Sequence, residues 1–80
     1  MDMSELNEEE QNDLHITYWA SFYGLTEYVR WILVANQWSP FIKAYKKQSI
    51  LAGAICGKQI ETAEMILSYS YEPNVQLKEN

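Results

Sequence analysis

One cysteine, one histidine, two prolines and three glycines are all that this 80-residue chain holds of the residues that staple, arm or break a small domain. A lone Cys56 excludes an intramolecular disulfide and fits a reducing compartment. A lone His15, with no second histidine or cysteine at helical spacing, excludes the usual zinc sets. No run approaches the roughly 18–20 apolar residues that cross a membrane. The N-terminus also lacks the basic region and apolar core of a signal peptide. The expected setting is therefore cytoplasmic, with no direct membrane span. Six scattered Lys and Arg residues form no basic stripe, so nucleic acid is not an expected partner.

Apolar and acidic residues are plentiful. The chain is 48% hydrophobic and 14% aromatic, well above the range of disordered segments. At this length the core is marginal by itself. The net charge of -5 is unevenly placed. Residues 1–13 carry six acids and no base, whereas residues 14–80 carry five acids and six bases. The acidity therefore belongs to an N-terminal leader, 1–13, and the rest is nearly neutral. The leader reads either as solvated chain or as the first turns of a helix, where acids are favourable.

Residues 14–23 are densely apolar and aromatic and end at Gly24. In 26–35, Tyr28, Val29, Ile32 and Leu33 fall on one helical face, with Thr26 as a plausible cap. Ser39-Pro40 opens either a turn or a new helix. Residues 48–56 are small and apolar and end at Gly57. In 60–67, Ile60, Ala63, Ile66 and Leu67 oppose Glu61 and Glu64. Pro73 is expected to stop that helix.

Gly24 and Gly57 coincide at a shift of 33 along the chain, and the same shift pairs Ala20 with Gly53. Each glycine leads into a helix ending Ile-Leu: Ile32–Leu33 and Ile66–Leu67. One extra residue must then be accommodated between Gly57 and Glu61. The expectation is a pair of repeats, about 14–47 and 48–80, each a short helix, a glycine turn and a longer helix.

This arrangement resembles the ankyrin repeat. The stretch Ala20-Ser21-Phe22-Tyr23-Gly24-Leu25-Thr26-Glu27-Tyr28-Val29-Arg30-Trp31-Ile32-Leu33 is similar to the family's A-A-x-x-G-H-x-E-I-V-x-x-L-L phrase. Ile50–Gly57 and Ile66–Asn74 are similar to the matching phrases of a second copy. Neither copy has the family's Thr-Pro opening, and 34–47 lacks the Gly and Asp that shape its hairpin finger. The resemblance implies an all-α fold of stacked helix-turn-helix repeats, a fragment of an α-solenoid. It implies a non-catalytic module that binds a protein partner, or further repeats of the same stack, through the inter-repeat segment and the short helices. Two repeats bury little by themselves, which suggests self-association through the uncapped second repeat. A tetratricopeptide-type pair of period 34 and a plain bundle with 40–56 as one helix are the alternative folds. A structural subunit that folds only inside a larger assembly is the alternative function.

No residue pattern speaks for catalysis. Glu8, Glu9 and Glu10 splay around a helix instead of converging on a cation. No phosphate loop, dinucleotide fingerprint or nucleophile elbow is present, so no cofactor and no enzyme activity are expected. Cys56, between Ile55 and Gly57, reads as a buried thiol, and His15 as a surface or packing residue. Lys46-Lys47 reads as a solvated pair. Trp19, Phe22, Tyr23, Tyr28 and Trp31 read as core. The linking segment carries Trp38, Phe41, Lys43 and Tyr45. These four are the candidate partner-binding residues, on the ground that exposed aromatics make binding hot spots. The competing reading is that the rings cover the contact between repeats.

Overall fold

A computed structural model describes residues 7–70 and 77–79. Helix α1 (Glu8–Phe22) turns into α2 (Thr26–Asn36). A small antiparallel pair, β1 (Lys43–Tyr45) and β2 (Gln48–Ser49), leads into α3 (Ile50–Cys56) and α4 (Ile60–Ser70). The sheet corrects the expectation of an all-α solenoid: the fold mixes four helices with a two-stranded hairpin. The segment expected as a possible continuous helix, 40–56, is a turn, the hairpin and then a short helix.

α1 starts earlier than 14 because Asn7 caps it. The Asn7 side chain accepts from the Glu10 amide at 2.8 Å, and Glu8, Glu9 and Glu10 occupy the positively polarised first turn. Such a cap is worth about 1 kcal/mol. The described part of the acidic leader is thus helical. The buried stripe of α1 is Leu14, Thr17, Tyr18 and Ser21, spaced i, i+3, i+4 and i+7. The hydroxyls of Thr17 and Ser21 on this stripe are satisfied by backbone carbonyls. Thr17 donates to the Asp13 carbonyl at 2.6 Å, and Ser21 donates to the carbonyls of Tyr18 and Ile50.

The hairpin closes on Lys46 and Lys47, both left-handed, with φ of 46° and 64°. A two-residue turn with both φ positive matches the twist of the flanking strands. Asn-Gly is the usual signal for it, and its absence is why the hairpin was not legible. Ser39 helps to set the approach: the Ile42 amide donates to its carbonyl at 3.1 Å and the Phe41 amide to its hydroxyl at 3.1 Å. Ser49 then caps α3, accepting from the Ala52 amide at 3.0 Å.

The two helical pairs correspond at an offset of 34, not 33. In the first turn, Tyr23 N bonds to Trp19 O, Gly24 N to Ser21 O, Leu25 N to Ala20 O and Val29 N to Leu25 O. Each of these bonds recurs at that offset: Gly57 to Gly53, Lys58 to Ile55, Gln59 to Ala54 and Ala63 to Gln59. Each helix end has the paired bonds of a Schellman cap, with one left-handed residue. In the first turn that residue is Gly24, φ 79°; in the second it is Lys58, φ 59°. Gly57 is right-handed, φ −82°, and fills the position of Tyr23. The expected pairing of Gly24 with Gly57, and the one-residue insertion it required, are therefore corrected.

Gly57 is needed for a different reason. A Cβ there would run into the Phe22 carbonyl, 2.8 Å from its carbon and 2.9 Å from the Phe22 Cα. Gly53 similarly lies on α1, where a Cβ would sit 2.9 Å from the Tyr18 carbonyl oxygen and 2.7 Å from the Ser21 hydroxyl. These contacts let α3 pack closely on α1, while α4 packs on α2.

The core gathers Leu14, Val29, Leu33, Trp38, Ile42, Ile50, Leu51, Ala54 and Ile66. Thr26 begins α2 and directs its hydroxyl across the pair to Thr62, at 2.6 Å. Of the expected α4 stripe, Ile66 is buried and Ala63 packs against the core, but Ile60 is 73% exposed and Leu67 is exposed, while Thr62 is buried in their stead. Backbone 77–79 lies beside 37–39: Lys78 donates to the Gln37 carbonyl and Ser39 to the Lys78 carbonyl, both at 2.7 Å. The expected stop at Pro73 and the closing phrase up to Asn74 lie outside the described residues.

Candidate interaction surface

The linking segment does not bring its four candidate residues together. Trp38 is 0% exposed and belongs to the core, its indole N–H without a hydrogen-bond partner among the described residues. Phe41 is exposed on the turn that follows Pro40, and Lys43 is exposed on β1. Tyr45 is half-buried, stacked at 4.7 Å on His15, 5.1 Å on Tyr18 and 5.2 Å on Trp19. It fastens the hairpin onto α1, with the Lys46 ammonium 5.3 Å over its ring. Each good ring contact adds about 0.5–1.5 kcal/mol beyond the area it covers. Only Phe41 of the three aromatics offers an unobstructed ring.

The aromatic content of α1 and α2 is placed differently from expectation. Tyr23 is 68% exposed and Trp31 66%, and Trp19 is also exposed. The core reading of these three is corrected. The reason lies in α1, whose inward stripe is taken by Leu14, Thr17, Tyr18 and Ser21, leaving Ile16, Trp19 and Tyr23 to face outward. With Leu25 and Tyr28 they line a shallow apolar depression on the outer side of the first helical pair. Trp19 also packs edge-on against Phe22, and Tyr23 lies 6.2 Å from Trp19.

A second apolar groove lies on the second pair, lined by Ala54, Ile55, Ile60, Ala63 and Leu67 together with Lys58, Gln59 and Glu64. Ile55 is 62% exposed there. Periodicity alone had assigned Ile60 and Ala63 to the interior. Ala63 is partly buried and packs against the core, whereas Ile60 lies outside; the hydroxyl of Thr62 reaches inward to Thr26 and sets the rotation of α4.

Titratable groups add little chemistry. Cys56 is exposed, not buried, because the inward face of α3 is Ile50, Leu51, Gly53 and Ala54. Its sulfur is 4.0 Å from the Gln48 side-chain oxygen, which also accepts the Tyr18 hydroxyl at 2.6 Å. Burial pushes the Tyr18 phenol above its ordinary value, with Cys56 and Tyr45 adding to the shift. Burial alone does the same for Tyr69, which donates to the Leu33 carbonyl. Glu27 and Arg30 pair at 3.3 Å on open surface, where such a pair is worth at most about 0.5 kcal/mol. Among the described residues no three His, Cys, Asp or Glu side chains are grouped to hold a metal ion. No described helix is long and apolar enough to cross a membrane.

No family model, no curated protein and no solved structure matches this chain. The resemblance to ankyrin repeats therefore rests on the residues alone.

Proposed function

We propose that the chain is a non-catalytic protein-recognition module that binds through its exposed apolar faces. The observation that carries this reading is the grouping of large apolar side chains in water: Ile16, Tyr23 and Leu25 on one pair, Ile55 and Ile60 on the other. Scattered exposed apolar residues are ordinary, but contiguous patches mark binding surfaces. Phe41, on the connecting segment, adds an exposed ring of the type that anchors interfaces. The cytoplasm is the proposed setting, since the exposed Cys56 thiol has no second cysteine in the chain to pair with.

Photo-reactive phenylalanine analogues at Tyr23, Phe41 and Ile60 test the reading in cells that make the protein. Discrete cross-linked products are expected from at least one of these positions and not from Glu9 on the exposed side of α1. If all four positions give the same background, the recognition reading is wrong.

A further inference from the structure

We infer that copies of this chain associate head to tail, the Trp19–Tyr23–Leu25 face of one seating in the Ile55–Ile60–Ala63 groove of the next. This rests on the protein-recognition reading and names its partner as a second copy.

The chain contains one example of the contact within itself. The first helical pair receives the second through Ser21, Gly24 and Thr26. Ser21 donates to the Ile50 carbonyl at 2.9 Å, Gly24 faces the Gln59 side-chain amide, and Thr26 meets Thr62. Val29, on the same side of α2, is fully buried. At the offset by which the two pairs correspond, the equivalents of Ser21, Gly24, Thr26 and Val29 are Ile55, Lys58, Ile60 and Ala63. All four line the open groove of the second pair. That groove is thus the receiving side of the internal contact, repeated one unit on.

The same holds in the other direction. The second pair meets the first through Ile50, Gly53, Gly57, Gln59 and Thr62. Their equivalents, one offset back along the chain, are Ile16, Trp19, Tyr23, Leu25 and Tyr28, and these line the outer depression of the first pair. The described residues therefore present a receiving surface on one side and an entering surface on the other. Two unlike surfaces that fit each other make a heterologous contact, which adds copies in line unless the rotation closes a ring.

Side-chain sizes are reversed in a way that keeps the fit. Inside the chain, the entering side supplies Gly53 and Gly57 and the receiving side supplies Tyr18 and Phe22. Between copies, the entering side supplies Trp19 and Tyr23, and the receiving equivalents of Tyr18 and Phe22 are Ala52 and Cys56. Gly53 on the Tyr18 ring and Trp19 over Ala52 each set a large side chain against a small one, whereas Gly57 meets the Phe22 backbone. The backbones cannot approach as closely as at Gly57, so the rings fill the wider gap. The hydroxyls of Ser21 and Thr26 are replaced by Ile55 and Ile60, which makes the contact between copies more apolar than the internal one.

Sedimentation velocity of the full chain, with one variant for each face, tests this. Ile60→Asp charges the groove and Leu25→Asp charges the opposite face. Both positions are exposed and lie where a helix begins, so an acid there is compatible with folding, which circular dichroism checks. The wild-type mass is expected to grow with concentration past the dimer, and each variant to remain a monomer. An equimolar mixture of the two variants should form a dimer and nothing larger, since one intact groove then meets one intact face. A wild type that stays monomeric at high micromolar concentration overturns the inference, as does one that stops at a dimer. A mixture of variants that fails to associate, or a single variant that still does, overturns it as well. A monomeric wild type that nevertheless cross-links to another protein at Ile60 sinks the self-association and leaves protein recognition standing. A monomer without cross-links sinks both.

Discussion

Replacing Gly57 by Ala should destabilise the protein, whereas replacing its neighbour Lys58 by Gly should stabilise it. At φ −82° the Gly57 backbone suits any residue, so alanine there costs nothing locally. It should even gain about 0.4–1 kcal/mol by restricting the unfolded chain. The added methyl, however, meets the Phe22 carbonyl group, backbone against backbone. Backbone cannot swing away as a side chain does, so the cost falls at the upper end of the roughly 1–3 kcal/mol of an overpacked site. The net loss is about 2 kcal/mol. For a domain of this size that lowers the melting temperature by roughly 10 °C. At Lys58, φ 59°, a non-glycine residue sits in the left-handed region at a cost of roughly 1 kcal/mol, which glycine removes. Urea denaturation at one low protein concentration measures both, with association between copies held constant. A Gly57→Ala midpoint at or above that of the wild type would refute close packing at Gly57, and a lowered Lys58→Gly midpoint would refute left-handed strain at Lys58.

Thr26→Val or Thr62→Val alone should lose about 1–2 kcal/mol, since either change removes one partner of a buried hydroxyl pair; the double variant should recover part of that loss, and a strictly additive cycle would show that the pair is not coupled. Lys46→Asn with Lys47→Gly should raise stability by about 1 kcal/mol, because both residues are left-handed; a lower urea midpoint would refute the two-residue turn. Stability should also fall in alkali. Tyr18 and Tyr69 hold their protons more tightly folded than unfolded, so their contribution is complete below the ordinary value of 10.0 and is lost as pH rises through the higher folded values. Urea midpoints from about pH 9 upward should decline, and Tyr18→Phe with Tyr69→Phe should flatten the decline.

Local pattern made α2 and much of α4 legible. Val29 and Leu33 are buried and Tyr28 and Ile32 pack beside them, as their spacing on one face implied. Ile66 behaves likewise. Ile60 does not, because a two-helix face with a neighbour on one side only leaves part of every apolar stripe in water. The dense aromatic run of α1 had no readable face at all. Apolar residues surround that helix, and its inward stripe includes two hydroxyls satisfied by carbonyls, one of them on α3. The hairpin was hidden for a related reason: lysines hold left-handed positions that local preference gives to Asn and Gly, and the ring stack on Tyr45 helps to hold them there.

Of the proposed surface, the ring of Phe41 and the use of the short helices and of the second repeat's end face were expected from the repeat pattern; which side chains form the two open faces was not. Trp38 and Phe41 are close in sequence and equally aromatic, yet one is fully buried and the other mostly in water. Nothing in their own neighbourhood separates them; the backbone that passes at Lys78 and the core around Trp38 do.

Composition and periodicity by themselves determined that the chain is mostly helical, doubled and acidic at its start, because these properties depend on residues close in sequence. Tertiary structure decided the two-stranded hairpin, the offset of 34 and the outward turn of Trp19, Tyr23 and Ile60. Each of these depends on which backbone meets which. Gly57 illustrates the difference: its spacing from Gly24 suggested a shared turn, and only the Phe22 carbonyl beside it shows that it is there for close packing.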